Sequence, residues 1–377
     1  MAHAHLFSEL MVGRMKLANR FVMPAMQRGF CRDGRPLAAL AAYYRRRVEG
    51  GVALIIGESC AIDHPTATAQ PSAASMTAAT RDGWAHCVEE VHEAGGRMLI
   101  QLWHEGAARK ADDGQTISPS GLLTAGRVNG RAATITELEG VLQAYVTAAR
   151  DAQDVGADGV EVHAAHGFLL DQFLWSETNQ RDDHFGGPTL ADRASFPAAI
   201  VAAIRAACGP EFVISFRFSQ WKEADYQARI AATPDELRAF VETIETAGAD
   251  LFHASTRRFW EPEWEGDVRG FAGWVSAFTR RPVIAVGSVG LDLDIMTTFT
   301  SDAEARATVV QSVAELDLRM ARGEFHLVAV GRALIGDPDF PHKVQSGQYD
   351  AVRPFCRADL GALEWDSAVV MDAHARI

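Results

Sequence analysis

The sequence predicts an α/β protein built as a single (β/α)8 barrel, the TIM-barrel fold. Short apolar runs rich in β-branched residues alternate with longer Ala-rich amphipathic stretches, a pattern typical of βα units around a parallel sheet. Eight such units can be counted, the number that closes a barrel. The 377 residues, 48% of them hydrophobic, suffice for one large core. No interdomain linker interrupts the pattern, so we expect residues 1–377 to form one domain.

The predicted strands follow one another between a short N-terminal segment and a C-terminal extension. Residues 1–20 are predicted to form a hairpin that covers the bottom of the barrel, and residues 346–377 form the extension. Each predicted strand has four to eight residues, the usual length of a buried strand. The eight strands are predicted at residues 21–25, 52–59, 97–101, 159–163, 212–218, 250–255, 282–286 and 327–330.

Helices are predicted between the strands, and TPDELRAFVETIETAGAD shows their signals most clearly. Thr233 fits an N-cap, Pro234 the first helical position, and Gly248 the C-terminal end. Residues 105–135, rich in Gly, Ser and Thr, form either a long loop on the active face or a merely solvated crossover. The acidic stretch at residues 291–323 enlarges the unit before the eighth strand.

Charge and cysteine content narrow the functional classes. The chain has 36 basic and 49 acidic residues, a net charge of −13, which argues against nucleic-acid binding and a polybasic membrane anchor. The five cysteines form no CxxC pair, so neither disulfides nor a zinc ribbon is predicted. The N-terminus lacks a signal-peptide pattern, and no apolar run reaches about 18 residues. We expect a cytoplasmic protein with reduced thiols, a small-molecule partner and no membrane span.

Polar residues at the carboxyl ends of the strands are the candidates for function, because a (β/α)8 barrel places its chemistry there. The turns VGSVG and VGRAL, after strands seven and eight, each lead toward a helix and resemble a phosphate cradle, to which Arg332 adds a charge. No GxGxxG follows the first strand and no GxxxxGK[ST] occurs, which disfavours a Rossmann or P-loop site. The other strand ends carry Gln27, Ser59, Gln101, His104, His163, His166 and Arg217.

Five ordered motifs carry a resemblance to a known family. HAAHG, IQLWHEG, LANRFVMPAM, TNQRDDHFGG and AVGRALIGDPDF resemble motifs of the Old Yellow Enzyme family, and the similarity spans roughly residues 6–345. The resemblance implies an FMN-containing barrel oxidoreductase that takes hydride from NADH or NADPH and passes it to an activated alkene. Within the family the chain is similar to bacterial sequences called 12-oxophytodienoate-reductase-like.

The resemblance also implies which residues bind FMN. Gln101 would meet the pyrimidine edge of the flavin with an amide that both donates and accepts. Arg217 would lie near flavin N1 and stabilise the charge of the reduced ring, although an ion pair with Glu161 in the barrel interior is the alternative. Ser59 would offer its backbone. The flavin ring would pack on Pro24, Ala25 and Met26, and the phosphate would lie against Gly287, Ser288, Gly331 and Arg332.

His163 and His166 are the predicted catalytic pair. If the strand turns helical at its end, positions i and i+3 fall on one side, so both rings can donate to one substrate oxygen. Two such hydrogen bonds would polarise an enone and stabilise its developing enolate. A zinc site and a purely structural pair are the alternatives, but the chain lacks HExxH and no metal is predicted.

Two positions depart from the family pattern. Gln27 stands where the family has Thr or Cys, and its amide would contact either the flavin or the substrate. Phe168 stands where most ene-reductases have the Tyr that donates a proton, and Phe has no proton to give. Tyr226 is the substitute donor that we consider. Tyr226 and Trp260, with Trp221 and Trp264, would wall a pocket for a flat substrate, or would simply pack long loops.

Other functions stay open at this stage. An FMN enzyme that works oxidatively, as a dehydrogenase or demethylase, is one, although such relatives carry a cysteine cluster that is missing here. A flavin-free barrel lyase is another. The sequence leaves the physiological alkene, the choice between NADH and NADPH, and a homodimer undecided.

Overall fold

Eight parallel strands close into a barrel in the computed structural model, which describes residues 3–301 and 303–363. Pairing of Val328 with Phe21 joins the last strand to the first, and pairing of Val22 with Leu54 joins the first to the second. The predicted (β/α)8 class is therefore confirmed. The strands are β1 (Phe21–Met23), β2 (Leu54–Ile62), β3 (Arg97–Trp103), β4 (Gly159–His166), β5 (Val213–Lys222), β6 (Leu251–Ser255), β7 (Val283–Val286) and β8 (Leu327–Ala329).

A helix follows each barrel strand. None of the helices in the described residues is both long and apolar enough to span a bilayer. Short helices at Leu169–Leu174, Leu190–Arg193, Ile295–Thr300 and Phe340–Gln345 lie outside the eight units. The principal helices are α1 (Ala38–Glu49), α2 (Arg81–Glu93), α3 (Ile135–Asp154), α4 (Ser195–Cys208), α5 (Pro234–Ala247), α6 (Phe271–Phe278), α7 (Val309–Ala321) and α8 (Arg332–Gly336).

The ends of α5 follow from its sequence. The Thr233 hydroxyl accepts a hydrogen bond from the N–H of Glu236 at 3.3 Å, and Pro234 occupies the first turn, where no N–H partner is needed. At the other end Gly248 adopts a left-handed conformation, with φ of 116°, and closes the helix. Both boundaries match the signals in the sequence.

The amino ends of the strands are covered by an antiparallel hairpin of Leu10–Val12 and Met15–Leu17. Its apolar side chains share a cluster with residues of seven of the eight strands. Because this end is closed by an apolar cluster, the open cavity lies at the carboxyl ends. Val12, Met15 and Leu17 share one cluster with Leu54, Leu99, Val213, Leu251 and Ile284. Residues 364–377 of the predicted extension lie outside the described residues.

Four strands, β2 to β5, run further than predicted, and the extended ends of β4 and β5 border the site. β4 continues to His166 and β5 to Lys222, beyond the expected ends at residues 163 and 218. Their pairing shifts register between Ala164 and His166. The segment 105–135 contains a parallel pair, Ile117–Ser118 with Arg131–Ala132, and a hairpin of Leu122–Thr124 with Arg127–Val128. This segment is therefore more ordered than a plain loop.

The cap of α5 gives a stability prediction. Thr233→Ala should lower the free energy of unfolding by about 1 kcal/mol, because the N–H of Glu236 loses its acceptor. Urea denaturation of the two proteins measures the difference. Thr243→Ala is the matched control, since the Thr243 hydroxyl bonds back to the carbonyl of Ala239 within the helix and Ala favours helix there. Equal losses in both variants would contradict the capping role.

Candidate functional site

A cavity of about 390 Å³ opens at the carboxyl ends of the strands. Its walls come from the ends of β1 and β4–β8, so residues far apart in the chain meet there. Trp221, Glu223 and Arg257, which were not predicted as cofactor ligands, also line it. The predicted residues on the wall are Pro24, Ala25, Met26, His166, Arg217, Gly287, Ser288, Gly331 and Arg332.

One end of the cavity offers unpaired backbone N–H groups. Within the described residues the amides of 287, 288, 331 and 332 donate to no protein acceptor. Gly287 has φ of 149°, and a Cβ there would come within 2.6 Å of Thr256 Oγ1, so this turn requires glycine. Such a cluster of amides suits the oxygens of a phosphate.

Arg332 stabilises the end of the cavity that carries the unpaired amides, and it adds a positive charge there. Its guanidinium donates to the Thr298 hydroxyl, the Leu293 carbonyl and Ser288 Oγ, the last at 3.3 Å. Burial lowers the pKa of Arg332 to about 10, so the group stays protonated at neutral pH. Because its terminal nitrogens bond to the loop after β7, Arg332 supplies positive charge and fixes Ser288.

Asp294 ties the loops after β6 and β7 together, and sequence reasoning missed it. Its buried carboxylate caps Ile295–Thr300 by accepting from the N–H groups of Met296 and Thr297 at 2.9 and 3.1 Å. It also pairs with Arg257 and Arg258. Burial alone would raise the pKa of Asp294, but these hydrogen bonds and Arg257 hold it at about 2. An Asp directly before an apolar run was the available signal for the cap.

Arg217 projects into the cavity as a buried cation. Nη2 donates to Ser255 Oγ at 3.3 Å, and Nε has no partner among residues 3–301 and 303–363. No ion pair within 4 Å joins Arg217 to Glu161, so the alternative raised from the sequence is not what the structure shows. A buried guanidinium with an unused N–H is set up to bind an acceptor that the protein does not supply.

Glu161 instead orients Gln101 from the centre of the barrel. Its carboxylate accepts from Gln101 Nε2, Ser215 Oγ and His253 Nδ1 at 2.8, 2.9 and 2.8 Å. Gln101 Oε1 in turn accepts from Ser59 Oγ at 2.7 Å. Burial would raise the pKa of Glu161, but His253 and these bonds lower it to about 2. The chain fixes which way the Gln101 amide points. Ser59 therefore contributes its hydroxyl, and neither it nor Gln101 lies on the cavity wall.

The rings of His163 and His166 lie close together while both residues are still part of β4. The expected helical turn at the end of this strand is therefore wrong. The register shift in β4 and a left-handed His166, with φ of 66°, bring the ring centres of His163 and His166 to 5.2 Å, without a helical turn. His166 Nε2 lies 2.8 Å from Ser255 Oγ, and buried His163 Nδ1 has no partner in the described chain. Burial lowers the pKa of both rings, that of His163 to about 3, so both are neutral at pH 7.

Phe168 packs beside the pair. Its half-buried ring lies 5.4 Å from that of His163 and 5.3 Å, edge to face, from that of Trp103. It precedes the helix Leu169–Leu174, whose side chains are buried. The position brings the ring next to a predicted catalytic histidine, while the cavity wall itself is formed by other residues.

A buried ion pair supports the turn at residues 166–168. Asp171 accepts from the N–H of Gly167 at 2.6 Å and from Lys222 Nζ at 2.8 Å, and the two side chains are 0% and 1% exposed. Lys222 also donates to the carbonyl of Gln220. Sequence reasoning missed the pair, although an Asp in the apolar run LLDQFL was a signal of a buried partner.

Three predicted pocket residues lie elsewhere. Gln27 is exposed, beyond the wall formed by residues 24–26. The Tyr226 ring stacks on Arg257 at 3.5 Å and borders an adjoining depression. Trp260 lines a separate depression with Glu315, because its loop turns away toward α7. Of the four aromatic residues proposed as walls, only Trp221 lines the main cavity, with its ring 4.7 Å from that of His166.

The barrel and its cavity define an oxidoreductase class. Unpaired amides at one end of the cavity and an arginine with a free N–H inside it fit a cofactor that ends in a phosphate, as FMN does. Residues 5–310 match the NADH:flavin oxidoreductase / NADH oxidase family, and the chain belongs to this family, that of the Old Yellow Enzymes. It is an FMN protein, which excludes the flavin-free lyase.

Relatives and a solved structure agree with this placement. The NADH oxidase of Thermoanaerobacter brockii is 30% identical over 95% of this chain, but the chain spans only 53% of that protein. The 12-oxophytodienoate reductase 2 of Arabidopsis thaliana is 28% identical, covering 89% of this chain and 86% of that protein. Morphinone reductase in complex with tetrahydroNAD has a TM-score of 0.77 and 27% identity, covering 94% of this chain and 93% of its own.

The buried ion pair of Asp171 and Lys222 predicts that the effects of substituting these two residues on stability depend on each other. Asp171→Asn leaves the Lys222 ammonium buried without its carboxylate, which should cost about 3–5 kcal/mol in the free energy of unfolding. Adding Lys222→Met removes the unpaired charge and should recover most of that loss. A double-mutant cycle by urea denaturation measures the coupling. Strictly additive losses would show that the two charges do not depend on each other.

Proposed function

We propose that the protein is an FMN-dependent ene-reductase that uses NADH or NADPH to reduce an activated alkene, such as an enone, a nitroalkene or a maleimide. The observation that carries the proposal is a neutral histidine pair, of which His166 lines the cavity and His163 has its ring centre 5.2 Å from that of His166. Neutral imidazoles donate hydrogen bonds without bringing a positive charge, which suits the binding of a carbonyl or nitro oxygen.

The chain's own residues would hold FMN at three places. Gln101, fixed by Glu161 and Ser59, offers its amide to the pyrimidine edge. Arg217 offers the unused Nε and a positive charge near N1. When bound, FMN supplies hydride transfer from the nicotinamide nucleotide to the acceptor. The phosphate would be held by Gly287, Ser288, Gly331 and Arg332, and the ring would pack on Pro24, Ala25 and Met26.

Ser255 sets the chemistry of the histidine pair. If its hydroxyl donates to His166 Nε2, the ring proton is on Nδ1 and is free for a substrate oxygen. His163 contributes a buried nitrogen without a protein partner. Together they would polarise the alkene and stabilise the negative charge that hydride addition places on its oxygen. The turn held by Asp171 keeps the two rings in register.

The relatives support a reductase of carbonyl compounds. Morphinone reductase and 12-oxophytodienoate reductase 2 are named for such compounds, and both align over most of their length. The solved complex of the former contains tetrahydroNAD, which supports a nicotinamide nucleotide as donor for this chain. NADH and NADPH, and a panel of cyclic enones, nitroalkenes and maleimides, are the reagents to compare.

The histidines separate substrate binding from cofactor binding. His163→Ala and His166→Ala should stay yellow and be reduced by NADH or NADPH at the wild-type rate, while reoxidation by an enone slows by about 10²-fold, as when an oxyanion donor is lost. Stopped-flow absorbance of each half-reaction measures this. The absorbance band that phenols give with the oxidised flavin should weaken in parallel.

His86→Ala, at a half-exposed site on α2, is the control and should leave both half-reactions unchanged. Wild-type protein whose flavin is reduced but is reoxidised by none of the alkenes would refute the ene-reductase proposal. Loss of FMN from the histidine variants would assign the pair to cofactor binding instead.

Phe168 gives a gain-of-function prediction. Phe168→Tyr places a hydroxyl on a ring 5.4 Å from His163 and should speed enone reduction by about 10²-fold, the usual size of general-acid help. Flavin reduction should not change. Phe168→Leu is the control, because it alters the ring without adding a donor. If Phe168→Leu speeds turnover as much as Phe168→Tyr, then space and not the hydroxyl limits the reaction.

A further inference from the structure

Glu223 stands out on the wall of the cavity. It follows β5 directly, and its N–H donates to the carbonyl of His166 at 3.1 Å, so it stays beside the histidine pair. Among the residues that line the cavity in the described structure it is the one carboxylic acid. Its side chain has no hydrogen-bond or ion-pair partner among residues 3–301 and 303–363.

Five carboxylates near the cavity are already engaged. Each accepts a hydrogen bond or forms an ion pair with a side chain nearby, which gives it a structural role. Glu223 is therefore the acid that remains available to a molecule in the cavity. The engaged carboxylates are Glu161 with His253, Asp171 with Lys222, Glu261 with Arg258, Glu263 with Gln220 and Asp294 with Arg257.

Alkene reduction needs a proton as well as a hydride, and the cavity offers few sources. Phe168 has none, and the ring of Tyr226 stacks on Arg257 in the adjoining depression. The three hydroxyl side chains on the wall are bound to protein acceptors or donors. Ser255 lies against His166, Thr256 donates to the Val286 carbonyl at 2.6 Å, and Ser288 donates to the Arg257 carbonyl at 2.8 Å.

We propose that Glu223 is the proton donor of alkene reduction in this protein, an inference that rests on the proposed ene-reductase function. Hydride addition to the β-carbon leaves an enolate. Its carbon–carbon electron pair takes the Glu223 carboxyl proton, so a C–H bond forms at the α-carbon while the O–H bond breaks. The carbonyl is restored, and the Glu223 carboxylate regains a proton from water at the open mouth.

The surroundings suit a general acid. Glu223 is exposed at the mouth of the cavity, and the protein atoms packed around its carboxyl raise its pKa above that of an ordinary glutamate, while Lys110 acts in the opposite direction. A carboxyl whose pKa moves toward the working pH transfers a proton more effectively. The titratable and charged groups that face the cavity around it are His166 from β4, Arg217 from β5, Arg257 after β6 and Arg332 after β8, with Lys110 from the segment after β3.

The test compares both half-reactions of the FMN-loaded protein. Glu223→Gln should leave FMN binding and flavin reduction by NADH or NADPH unchanged, and should slow reoxidation by 2-cyclohexenone by about 10²-fold. Reoxidation by a nitroalkene should change little, because the nitronate can leave and be protonated in solution. The loss of enone reduction as the pH rises and the Glu223 carboxyl ionises should also disappear.

Controls keep the proposal falsifiable. Glu265→Gln, on the exposed loop after β6, should behave as the wild type. Adding Phe168→Tyr to Glu223→Gln should restore enone reduction by supplying a new donor. If Glu223→Gln reduces the enone as fast as the wild type, or if Tyr226→Phe slows it and Glu223→Gln does not, the assignment is wrong. Wild-type protein that reduces no activated alkene would instead overturn the proposed function, and the donor assignment with it.

Discussion

Closure of the parallel sheet is the constraint on which the rest of the structure depends. Pairing of Val328 with Phe21 and of Val22 with Leu54 leaves no free edge, so all eight strands end at one rim. The apolar hairpin occupies the opposite end. The rim is then the one place where residues of β1 and β8, some three hundred positions apart, share a cavity. The amide cluster, Arg217 and the histidines are each supplied by different strands.

Three buried carboxylates stabilise the rim of the barrel, and each forms hydrogen bonds or ion pairs with a different set of strands and loops. Glu161 accepts three hydrogen bonds from three neighbouring strands and thereby orients Gln101. Asp171 holds the histidine turn through Gly167 and Lys222. Asp294 joins the loops after β6 and β7. A buried charge without partners would be costly, so these bonds both neutralise the carboxylates and fix the loops. Glu223 differs because it faces the cavity without such partners.

Some residues of the rim have buried partners and others do not. This difference explains how one barrel can keep its cofactor contacts while the residues that contact the substrate change. The residues that would contact FMN are braced by buried partners, as Arg332 is by the loop after β7. The residues around the substrate depend on single positions. Phe168 removes a hydroxyl next to His163, and Glu223 adds an acid beside His166. On the proposed function, we expect a change at either position to leave the cofactor contacts intact, so that proton delivery can shift between strand ends without loss of FMN.

The sequence by itself determined the eight βα units, the glycine turns after β7 and β8, and the histidine pair. These features are local, because hydrophobic periodicity, caps and strand-end motifs are set by neighbouring residues. It did not determine how His163 and His166 converge, since the register shift arises from pairing with β5. Nor did the sequence show that Tyr226 and Trp260 line other depressions or that Glu223 lines the main cavity. Those positions were decided only by tertiary structure, because a side chain's surroundings depend on loops from other strands, which meet only once the barrel has closed.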